Sequence, residues 1–103
     1  IKMNPGMMKK LQKMQRDMVQ AQKELEASTF YGSAGGKMVQ VEFLGSREML
    51  KISINPEAVE SPEDIEMLED TVVAAVNDCL GKIDAETERV MSQFTGGGMP
   101  GLF

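Results

Sequence analysis

Lys9, Lys13, Arg16 and Lys23 recur at steps of four, three and seven, the spacing that brings side chains onto one face of a helix. Lys10 stands at the border of that face. The chemistry open to such a stripe is electrostatic: lysine and arginine neutralise phosphates and displace condensed counterions without needing to read a base. The asymmetry behind it is large. With Lys2 included and Asp17 as the one acid, residues 1–23 carry +5, while residues 24–103 carry −10, within a formal net charge of −5. A basic arm on an acidic body is a pattern that calls for a partner.

Other chemistries are poorly served. The chain has no histidine, so the commonest general base and the commonest nitrogen metal ligand are both missing. Its single cysteine, Cys79, cannot form an internal disulfide, fits a reducing compartment and falls on an apolar helical stripe, where a thiol acts as a small filler. Carboxylates crowd into NPEAVESPEDIEMLED, whose spacing reads as a solvated helix start rather than a metal cage. Phe30 and Tyr31 beside a glycine are too few to claim base stacking. The expectation is a protein with no catalytic centre, metal, cofactor or small-molecule substrate.

The elements that position the stripe follow from periodicity. Asn4 can cap a helix with Pro5 in its first position. Met7, Leu11, Met14, Met18, Ala21 and Leu25 then recur at alternating steps of four and three, a heptad seam that ends near Ala27 and Ser28. The basic residues lie opposite that seam. KMVQVEFLG and REMLKISI alternate apolar and polar residues on either side of Gly45 and Ser46, predicting a β-hairpin with one buried face built by Val39, Val41, Phe43, Leu50, Ile52 and Ile54. The shorter STFY can add a third strand through SAGG. NPE ends the sheet, and SPED restarts a helix with Ser61 as cap, Pro62 first and Asp64 completing a capping box. Apolar positions that include Leu68, Val72 and Val76 carry this second helix to about Gln93.

The first helix should run on the order of 30 Å and the second on the order of 45 Å at 1.5 Å per residue. Three short strands cannot cover both stripes, so a second chain is expected to share the seam. Met7, Met8, Met14 and Met18 could form an adaptable binding face, but a methionine stripe at helical spacing more often forms core, here between subunits. At 103 residues the chain makes one small domain over 1–94, with the glycine-rich 95–103 expected to be a flexible tail. It starts IKMNP without a leading methionine, which reads as a processed start. No apolar run is long enough for a membrane span and no secretory signal pattern is present, so a cytosolic protein is expected.

Amphipathic helices need some polar face, and lysine and arginine form helices well. Cations at a helix start are nevertheless unfavourable by a few tenths to about 1 kcal/mol each. The first helix breaks that rule, with Glu24 and Glu26 at its end, while the second keeps it with Glu63, Asp64 and Glu66 at its start. That contrast points to a use for the charge. A phosphate backbone, an anionic lipid surface and an acidic protein partner all fit a basic rod, although the seam lacks the large aromatics of membrane-surface helices.

MMKKLQKMQRDMVQAQKELE, GSAGGKMVQVEFLGSREMLKISINPE and EDIEMLEDTVVAAVNDCLGKIDAETERVMSQFTGGGMPG, in this order and spacing, closely resemble the YbaB/EbfC family of nucleoid-associated proteins. The resemblance spans nearly the whole chain. It implies an α+β fold of order α-β-β-β-α, an intertwined homodimer with projecting helices, and binding to duplex DNA with weak or broad sequence preference. It also implies a bacterial, cytoplasmic, nucleoid-associated protein without enzymatic activity. Family DNA contacts are attributed to the helices. The matching positions here are Lys9, Lys10, Lys13, Arg16 and Lys23, with Lys82 and Arg89 as additions set among acidic neighbours. Leu11, Met14, Met18, Leu25, Leu68, Val72 and Val76 are the expected dimer or core seam.

Overall fold

The computed structural model describes residues 4–95. Lys2 and nearly all of the glycine-rich tail lie outside them. Helix α1 spans Pro5–Ala27, and Asn4 caps it by accepting a hydrogen bond from the Met7 amide at 2.7 Å. Strands β1 (Thr29–Ala34), β2 (Val39–Leu44) and β3 (Met49–Ile54) form an antiparallel sheet in that order. Two short 3-10 turns, Pro56–Ala58 and Pro62–Asp64, lead into helix α2 (Ile65–Thr95). The order is therefore α-β-β-β-α, with two long helices and a three-stranded sheet.

The capping expected at SPED is present: the Asp64 carboxylate accepts from the amides of Ser61 (3.1 Å) and Glu60 (3.0 Å). The first turn it organises is 3-10 rather than α, a common form at helix ends. The third strand extends beyond STFY, through Gly32 to Ala34, because Gly32 pairs with Val41 and Ala34 with Val39. Gly35, Gly36 and Lys37 then turn the chain with positive φ.

The core lies between the sheet and α2. Val39, Val41 and Phe43 of β2 meet Ala75, Cys79 and Ile83 of α2, and Leu68, Val72 and Val76 pack around them. Each such buried aliphatic or aromatic side chain contributes about 1.5–3 kcal/mol. Close approach of α2 depends on Gly32, which has no side chain where Ala75 and Cys79 cross it. Two hydrogen bonds close the outer edge of β1: the Ser33 amide donates to Asp78 at 3.0 Å, and Lys82 donates to the Tyr31 carbonyl at 3.1 Å. An i,i+4 pair on the helix thus satisfies a strand edge that would otherwise be open.

The hairpin expected from KMVQVEFLG and REMLKISI forms, but its buried face does not extend to β3. Every residue of β3 is exposed, because α2 lies over β1 and β2. Leu50 also leaves the expected alternation. Glu42 pairs with Lys51 and Phe43 with Met49, so Leu50 is the extra residue of a β-bulge. Ile52 and Ile54, opposite the buried Val41 and Val39, remain 41% exposed. The molecule is elongated, 70 × 24 × 16 Å, with a radius of gyration of 20.1 Å. A compact chain of this length would have about 13 Å.

Candidate nucleic-acid interface

Only the last two turns of α1 are anchored. Leu25 is buried, and the clefts on its two sides are lined by Glu86 and Val90 and by Thr87 and Met91 of α2. The end of the helix is also tied to the β2–β3 turn, where the Gly45 amide donates to the Ser28 carbonyl at 2.8 Å and the Ser46 amide to the Glu26 carbonyl at 3.2 Å. A Cβ on Gly45 would fall 1.9 Å from the Leu25 carbonyl oxygen, so only glycine permits this junction. The rest of the helix projects as a rod: every residue from Asn4 to Asp17 is exposed.

The expected seam therefore divides. Leu68, Val72 and Val76 pack on the core of their own subunit, and Leu25 anchors α1. Met18 and Ala21 are half-buried, whereas Met7, Leu11 and Met14 are 40–50% exposed.

The basic residues divide as well. Lys13 forms an ion pair with Asp17 at 2.7 Å, whereas Lys9, Lys10, Arg16 and Lys23 have no acidic partner among the described residues. No acidic side chain occupies the first turn of α1 and no basic one the last, so the macrodipole is complemented at neither end. Three cations beyond α1 are paired locally. Arg47 pairs with Asp84, Lys82 with Asp78 and Arg89 with Glu86. Lys82 and Arg89 thus each have an acidic partner on α2, in keeping with the acidic neighbours the sequence gives them.

The Ser33 amide that donates to Asp78 holds its carboxyl below the ordinary carboxylate value, with Lys82 adding to the effect against desolvation. Burial pushes the Cys79 thiol up, which keeps it protonated and unreactive. Among the described residues no helix is long and apolar enough to cross a membrane.

A small α+β subunit that projects a rod of uncompensated positive charge has the form of a nucleic-acid-binding module. Comparison identifies which one. Residues 2–99 match the model of the YbaB/EbfC DNA-binding family, and the chain belongs to that family, one of DNA-binding proteins and not of enzymes. It is 50% identical over 99 residues to a nucleoid-associated protein of Oceanobacillus iheyensis, a match that covers 95% of this chain and 94% of that one. A nucleoid-associated protein of Enterococcus faecalis is 46% identical over 97 residues, covering 94% and 91%. The crystal structure of an uncharacterised protein from Helicobacter pylori superposes with a TM-score of 0.74 over 92% of this chain and 100% of that one; at 21% identity it supports the fold.

Proposed function

We propose that this protein acts in the bacterial cytoplasm as a nucleoid-associated homodimer. In this reading paired α1 helices bind duplex DNA through phosphate contacts of Lys9, Lys10, Lys13, Arg16 and Lys23, organising the nucleoid or regulating genes. The observation that carries it is the projecting α1, whose cations Lys9, Lys10, Arg16 and Lys23 have no acidic partner among the described residues, although the dipole disfavours Lys9 and Lys10 near its start. The names of the relatives supply the nucleoid context.

An intertwined dimer accounts for the uncovered apolar surface. Met7, Leu11 and Met14 on α1 and Ile52 and Ile54 on β3 are exposed in the single subunit, and its length far exceeds that of a compact domain. Burial of these residues between two copies would leave the basic face, on the far side of α1, open to DNA.

The test is a charge reversal. A variant carrying Lys9→Glu, Lys13→Glu and Arg16→Glu should keep its helical signal and dimeric mass and lose duplex binding in a fluorescence-anisotropy titration. Wild-type affinity should fall with salt at a log–log slope of about −0.9 per phosphate neutralised. Undiminished binding by the variant would remove the site from α1. No wild-type binding even at low salt would shift the function to an acidic protein partner.

A further inference from the structure

The unpaired cations Lys9, Arg16 and Lys23 lie opposite the apolar seam of α1, and Lys10 stands at the border of their face. With about 100° of rotation per residue, Gln12, Gln15 and Val19 occupy the flank between that seam and the free cations Arg16 and Lys23. Lys13, paired with Asp17, and Gln20, which donates to Glu24 at 3.2 Å, lie toward the other. Two free cations, Arg16 and Lys23, thus adjoin a flank made of two glutamines and a valine. Gln12, Gln15, Arg16, Val19, Gln20 and Lys23 line one shallow groove along α1.

These three residues have no structural task within the chain. Gln12 and Gln15 are exposed and have no hydrogen-bond partner among the described residues, and Val19 is 46% exposed on a helix where β-branched residues are poor formers. A lone exposed valine is ordinary. Its position is not, because Val19 sits one turn beyond Gln15 and two turns beyond Gln12, between the seam and the free cations.

We infer that Gln12, Gln15 and Val19 read A·T base pairs in the major groove, while Arg16 and Lys23 hold the adjoining phosphates. The inference rests on the DNA-binding reading above and adds the base-contacting residues to it. The chemistry matches atom for atom. A glutamine amide can accept from adenine N6 and donate to N7 at once, and an aliphatic side chain packs against the thymine C5-methyl, two features that only the major groove displays. An α-helix fits that groove. Gln12 to Val19 spans about 10.5 Å of helix axis, roughly three base-pair steps of 3.4 Å. Each helix would thus read a short A·T-containing element, and specificity would be modest beside the phosphate contribution.

Base analogues with matched variants supply the test. Anisotropy titrations at one salt concentration would use an A·T-containing duplex, a G·C duplex, a duplex with 7-deazaadenine for adenine, and one with deoxyuridine for thymidine. Wild-type protein should prefer the A·T duplex about tenfold, and either analogue should erode that preference. The Gln12→Ala, Gln15→Ala double variant should be indifferent to 7-deazaadenine, and Val19→Ala to deoxyuridine, with the salt slope unchanged in both. Alanine is the best helix former, so α1 persists in these variants. Equal wild-type affinity for A·T and G·C duplexes, or analogue effects that survive in the variants, would overturn base reading while leaving phosphate binding intact. Failure of the wild type to bind any duplex would overturn both.

Discussion

Asp78 on α2 accepts a hydrogen bond from the backbone amide of Ser33 on β1, 3.0 Å away and 45 positions distant in sequence. This bond, more than the neighbouring Lys82, lowers the carboxyl below its ordinary value of 3.8. A carboxyl depressed in the folded state stabilises fully above its unfolded value and loses that contribution as pH falls through the lower folded one. Stability should therefore decline over the acid range from about pH 5 downward, with Asp78 among the causes. In Asp78→Asn the amide oxygen still accepts from Ser33, so urea midpoints at descending pH should show a shallower decline than wild type.

Gly32→Ala should destabilise the subunit. A Cβ at this position would lie 2.6 Å from the Ala75 carbonyl oxygen and 2.6 Å from the Cys79 Cβ, with the Cys79 amide nitrogen at 2.7 Å. Two of these three atoms are helix backbone, so α2 must move as a unit. The expected loss is at the upper end of the 1–3 kcal/mol typical of overpacking, read as a lowered midpoint of thermal or urea unfolding.

Asp17→Asn should tighten duplex binding at low salt by a few-fold. The substitution frees Lys13, whose ammonium otherwise lies 2.7 Å from the Asp17 carboxylate. If Lys13 then neutralises one further phosphate, the log–log salt slope steepens by about 0.9, and the advantage fades as salt rises. Both quantities come from one anisotropy series.

Ile52→Lys with Ile54→Lys should weaken self-association by more than about tenfold, given about 1.5–3 kcal/mol for burying an isoleucine. Both residues are already 41% exposed in the subunit and α2 does not cover β3, so they contribute little to its own core. Sedimentation across a concentration series reads the effect. An unchanged dimer would place the interface away from the β3 face.

The sequence by itself determined what depends on near neighbours. Asn4 and Pro5 start α1, the alternation of Val39, Val41 and Phe43 makes β2 half-buried, and Asp64 organises the entry to α2, because capping and periodicity act over two to four residues. The basic stripe was legible for the same reason: helical spacing fixes a face before any tertiary contact forms. Burial and pairing were not legible in this way. Alternation alone aligned Leu50 with Ile52 and Ile54, but a bulge displaces Leu50 and α2 leaves β3 bare. The sequence showed Lys82 and Arg89 among acidic neighbours without saying which they meet; folding sets Lys82 between Asp78 and the edge of β1 and Arg89 against Glu86. Only the tertiary structure decided that α1 is held by its last two turns at Leu25 and Gly45, since that junction joins segments some twenty residues and more apart. The same junction leaves the cationic part of the helix projecting from the subunit.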